Sequence, residues 1–191
     1  MIEKLLALIV DEGKWLTASM TLALLTVGAL SARRSFRALP SRRRIGVAMN
    51  LFFAVTIGTM AFGHLLAVTT KLASGTLRGS APLLYAIGIV LAVPSWCLIA
   101  HTRRMLREDA NRRTLVLNGL VATSLIALGL PNIALALPAF LNMAYAASSR
   151  RSVAWAVAGV AVVLQVALFV GSLVFLASGQ TFEQFSGVSG Q

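Results

Sequence analysis

SARRSFRALPSRRR (residues 31–44) runs directly into IGVAMNLFFAVTIGTMAFGHLLAVTT (residues 45–70), and this junction decides how the chain folds. Arg33, Arg34, Arg37, Arg42, Arg43 and Arg44 bracket Pro40 with no acidic residue among them. The next twenty-six residues contain no Asp, Glu, Lys or Arg. A bilayer's hydrocarbon core of about 30 Å needs roughly 20 helical residues, so this run is long enough to cross it. Basic residues collect on the cytoplasmic side of membrane spans, which places the arginine cluster there.

Outward from that junction the same punctuation repeats. Residues 15–32, 79–102, 114–149 and 152–182 are also free of charged side chains. A second basic cluster, Arg103, Arg104, Arg107, Arg112 and Arg113, holds Glu108 and Asp109 between its members. The composition agrees: 58% hydrophobic residues, 12% charged residues and a mean hydropathy of +0.82 suit a membrane protein. Soluble helices need a polar face, and residues 153–177 offer almost none. Membrane β-barrel strands alternate polar and apolar residues, which these Leu, Ala and Val runs do not.

The expected fold is therefore an all-α, polytopic transmembrane helical bundle. Spans are expected at about 15–32, 45–69, 82–101 and 152–177. Residues 114–149 would make one helix of about 54 Å, nearly twice the hydrocarbon thickness. Pro131-Asn132 reads as a turn, dividing the segment into short spans at about 112–130 and 133–149. Six spans are preferred, because they return Arg150 and Arg151 to the side of the other arginines. Five are possible, with a segment broken at Pro138 and Arg150 and Arg151 left outside. The chain divides into a short interfacial segment (residues 1–14), a single bundle (15–177) and a flexible tail (178–191). Charge asymmetry implies a bacterial-type inner membrane location with the amino terminus outside.

The net charge of +11 comes from seventeen basic residues, fourteen of them Arg. Because the arginines flank spans, anionic lipid headgroups are the expected partners and nucleic acid is not. Arg33, Arg34, Arg42, Arg43, Arg44, Arg103, Arg104, Arg112 and Arg113 are the headgroup candidates. The single Cys97 cannot form an intrachain disulfide or a thiolate cluster alone.

Candidates for chemistry are few. His64, in AFGHL, is the one residue placed to hold a haem or a chlorophyll-type pigment, since iron can take a single proximal histidine. His101 is expected in the opposite leaflet, so the two cannot clamp one haem. A zinc site wants three or four close ligands, and no such motif is visible; no metal or cofactor is expected otherwise. Coupled transport uses intramembrane carboxylates or histidines, and the spans hold no Asp or Glu. Buried amides remain: Asn50, Asn118, Asn142 and Gln165 must each find a partner in hydrocarbon. They act either as helix-to-helix ties or, with Thr56, Thr59, Thr123 and Ser124, as the lining of a polar path. Asn132, Pro138, Asn142, Tyr145 and Gln165 form the candidate solute or partner site, and Ala154 and Ala158 a close-packing face.

No nucleophile and base pair up from these residues, so an enzyme is the lesser expectation. The preferred reading is a small integral membrane accessory subunit, packing against a larger complex or against itself. The alternatives are a transporter or channel for a neutral or anionic small solute, and a haem or pigment carrier through His64.

Overall fold

The computed structural model describes the backbone of residues 33–76, 81–127 and 133–178. Six helices lie within them: α1 (Arg33–Arg37), α2 (Ser41–Ala73), α3 (Ala81–Met105), α4 (Asn111–Ala127), α5 (Ile133–Ala147) and α6 (Arg151–Ser178). The expected first span, the amino-terminal segment and the tail beyond residue 178 lie outside the described residues.

The long helices overrun their apolar stretches at the arginine ends. Pro40 sits just before α2 with φ −55° and ψ 145°, an extended conformation that proline favours. The Pro40 carbonyl then accepts the first helical bond from Arg44 N at 3.0 Å. Arg42–Arg44 thus belong to the first turn of α2, and Arg103 and Arg104 to the last turn of α3. Long arginine stems let the helix run into the interface while the guanidinium reaches water. At the other end α2 continues to Ala73, past the expected boundary, and closes at Gly75 with φ 71°. Gly75 N donates to the Leu72 carbonyl and Thr76 N to that of Lys71, both at 3.1 Å, a closure that needs a residue tolerant of positive φ.

α2, α3 and α6 have the length and hydropathy to cross a membrane. This is an all-α membrane bundle with at least three such helices. α4 and α5, with 17 and 15 residues, rise only about 25 and 22 Å. They pack side by side as a hairpin. Arg42 donates from its guanidinium to the Ser148 carbonyl, Tyr145 Oη donates to the Arg42 carbonyl at 2.9 Å, and Arg43 Nε donates to the Met105 carbonyl at 2.7 Å. The start of α2, the end of α3 and the end of α5 therefore meet at one end of the bundle. Ser148 lies beside Arg42, so the start of α6 at Arg151 is also at that end. Pro138 lies inside an uninterrupted α5, and Pro94 inside an uninterrupted α3. The break at Pro138 named in the five-span alternative is not present, because neighbouring helices can compensate for the missing backbone donor.

α2 is the central element. It contributes Phe53, Ala54, Ile57, Met60 and Ala61 to the main core with Leu91, Leu98, Leu125 and Ala136. It supplies Met49 to a second cluster with Tyr145, Ala154, Ala158 and Ala161, and Val47 to a third with Leu39, Met105 and Ala110. Ala154 and Ala158, expected to form a close-packing face, do so against α2 of the same chain. α2 and α3 approach closely enough that a Cβ on Gly58 would stand 2.7 Å from Ser95 Oγ, and one on Gly88 would overlap Leu65.

Candidate functional site

Three amides expected to need partners find each other. Asn118 Nδ2 donates to Asn50 Oδ1 at 3.0 Å, and Asn142 Nδ2 donates to Asn118 Oδ1 at 3.0 Å. Asn50 Nδ2 also donates to the Gly46 carbonyl at 3.0 Å, and Asn118 Nδ2 to that of Thr114 at 2.9 Å. All three are at most 2% exposed. One polar chain therefore crosses from α2 through α4 to α5, where each bond competes only with an unsatisfied amide in apolar surroundings.

Beside this chain lies a cavity of about 240 Å³ at the arginine end. Arg42, Arg43, Asn50, Thr114, Asn142 and Tyr145 line it, with Glu108 and Asp109 also contributing. Glu108 forms ion pairs with Arg104 (3.3 Å) and Arg113 (3.0 Å), all three half-exposed and so worth little in stability. Of the five residues proposed as a solute or partner site, Asn142 and Tyr145 share this cavity. Pro138 is buried in α5, and Gln165 is buried on α6, 2% exposed, with Nε2 unpartnered. Neither lines the cavity. Asn132 and the side chain of Arg33 lie outside the described residues.

The hydroxyls proposed for a polar path go elsewhere. Thr56, Thr123 and Ser124 donate to the carbonyls of Phe52, Gly119 and Leu120, each four residues back in its own helix. Thr59 is buried with its Oγ1 unpartnered.

His64 is fully buried, and its Nε2 stands 2.7 Å from the Leu84 carbonyl oxygen. A carbonyl only accepts, so Nε2 carries the proton and ties α2 to α3. His101 Nε2 lies 2.8 Å from Thr114 Oγ1, tying α3 to α4. Leu84 and His101 are seventeen residues apart on α3, about 25 Å, which keeps the two imidazoles at opposite ends of the bundle. Ser95 Oγ adds a bond to the Ala54 carbonyl at 2.7 Å. Cys97 and Trp96 are exposed on the outer face of α3. Among the described residues no three His, Cys, Asp or Glu side chains are grouped to hold a metal ion.

Nothing in the sequence marks Thr114 as a member of the site. Arg42 and Arg43, expected at lipid headgroups, also line the cavity, and Arg43 Nε bonds the Met105 carbonyl at the end of α3. No protein-family model, curated protein or solved structure matches the chain.

Proposed function

We propose that this chain is a small, non-catalytic integral membrane component that associates with other membrane helices. What supports this reading is the use made of its interior polar groups. Asn118, Asn142, His64, Ser95 and His101 each bond from one helix to another. Groups that would otherwise carry chemistry are spent on holding the bundle together.

The face offered to a partner is the outer side of α6. Gly159, Val163, Ala167 and Gly171 recur every fourth residue, and all are exposed. A Cβ on Gly159 or Gly171 would meet nothing within 4 Å among the described residues. Small residues at this spacing let a second helix approach closely in lipid, where packing and not water exclusion drives association. The partner is another subunit or a second copy of the chain. Its setting is a bacterial-type inner membrane, with the arginine end toward the cytoplasm and lipid phosphates.

Gentle extraction into lipid nanodiscs tests this. The expected result is recovery with other polypeptides or as a homo-oligomer, and a smaller assembly for the Gly159→Leu, Gly171→Leu double variant. Recovery of the wild type as a monomer, or an unchanged assembly in the double variant, overturns it. A haem or pigment at His64 is the weaker alternative, since a ligand at Nε2 must displace its bond to Leu84. A visible absorption band that vanishes in His64→Leu would establish it. The solute-handling alternative draws its support from the cavity.

A further inference from the structure

The bonds of the amide chain determine what its free end can bind. Asn50 gives its Nδ2 to the Gly46 carbonyl, so its Oδ1 is left to face Asn118. Asn118 then spends its two Nδ2 protons on Asn50 Oδ1 and the Thr114 carbonyl, and turns Oδ1 to Asn142. Asn142 must answer with its Nδ2, and its own Oδ1 is left buried with no partner. Carbonyl oxygens at the far end thus fix the orientation of all three amides. The atom left wholly without a partner is an acceptor.

Arg43 supplies the opposite character. Its Nε is held by the Met105 carbonyl, while its Nη2 is buried and unpartnered. Both Arg43 and Asn142 line the same cavity, which is many times larger than the ~15 Å³ a single water needs. Arg42 adds a second positive charge to the lining, and Asp109 a negative one. A buried donor and a buried acceptor left without partners are both destabilising, so an occupant that satisfies both is favoured.

We propose that this cavity binds a small zwitterion: an anionic oxygen group held by Arg43, paired with an amine whose N–H donates to Asn142 Oδ1. A phosphoethanolamine group has this chemistry, either as a free solute or as a lipid headgroup entering from the interface. The site goes beyond the accessory role and does not require it.

The test compares phosphoethanolamine with phosphocholine, which carries the same charges but has no N–H to donate. Binding to the full chain in phosphatidylcholine nanodiscs is measured by calorimetry. Phosphoethanolamine should bind saturably and about tenfold more tightly, the effect of one hydrogen bond to a charged group. Arg43→Gln should weaken both ligands by about tenfold or more, and Asn142→Ser should erase the preference between them. Arg43→Lys, which keeps the charge but not the fork, should also bind less tightly; it serves as the second variant if Asn142→Ser fails to fold by circular dichroism. Equal affinity for the two ligands, no saturable binding, or binding untouched by Arg43→Gln each overturns the proposal. Adding phosphatidylethanolamine to the disc identifies the source. Competition with the soluble ligand marks a lipid headgroup, and undiminished binding marks a free solute.

Discussion

α2 and α6 are both long, apolar helices, yet they sit in opposite environments. In its most apolar window 61% of α2 is buried within the protein, against 22% for α6. α6 is the more hydrophobic of the two and the more exposed, the reverse of what a soluble core would show. Lipid removes the advantage of burying Val or Leu, so apolar content no longer sorts inside from outside. Polar groups and small residues do the sorting. α2 carries Asn50, Thr56, Thr59 and His64 as buried polar residues, and Gly58 where Ser95 presses in. α6 presents Val160, Val163, Val170 and Val174 outward.

Asn118→Leu should give the largest effect. It strands Asn50 Oδ1 and Asn142 Nδ2 without partners, and should destabilise the bundle by about 2–4 kcal/mol in reversible SDS unfolding. A change below about 0.5 kcal/mol would break the claim that amide bonds place α2 at the centre. A pair of glycine changes sharpens the contrast at smaller scale. Gly88→Ala drives a methyl into Leu65 at the α2–α3 contact and should cost about 1–2 kcal/mol. Gly159→Ala meets open space on α6 and should stabilise by about 0.5–1 kcal/mol through helix propensity. Equal effects at the two positions would erase the distinction between the helices. Gln165→Leu should have the smallest effect. It removes a buried, unpartnered Nε2 from α6 and should raise the unfolding midpoint by the equivalent of about 0.5 kcal/mol. A clear loss of stability would mean that α6 is tied in by a polar bond after all.

Much of the fold could be read from charge placement. The helices at Ser41–Ala73, Ala81–Met105 and Arg151–Ser178 contain the expected spans, because charge-free runs and flanking arginines report helix length directly. The hairpin at Asn111–Ala127 and Ile133–Ala147 followed from the cost of an overlong helix and the return of Arg150 and Arg151. What composition did not reveal was which faces meet. The amides were recognised one by one as needing partners, but not as partners of each other. Depth would have helped: Asn50 lies nine residues into α2, Asn118 seven into α4 and Asn142 five from the end of α5. At 1.5 Å per residue these are about 14, 10 and 8 Å below the arginine end. Rotation about each helix axis is set by packing, and small residues such as Gly46, Gly58 and Gly88 signal close approach without naming the neighbour. The wall of the cavity was half legible for the same reason. Asn142 and Tyr145 stood out as unusual, whereas Thr114 has nothing in its local sequence to distinguish it.

The pairing of α2 with α3 and of α4 with α5 gives the molecule a seam. Within each pair the helices pack along their length, whereas α3 and α4 touch only lightly. Across the seam run Asn118 to Asn50, His101 to Thr114, Tyr145 to the Arg42 carbonyl and Arg42 to the Ser148 carbonyl, four bonds toward the arginine end. The cavity opens along that same line, its walls drawn from both pairs. Parting the pairs there would have to break all four bonds, divide the core that Phe53 and Ile57 share with Leu125 and Ala136, and pull against α6, which packs on both α2 and α5. Any motion that opened this line would also change the size of the pocket.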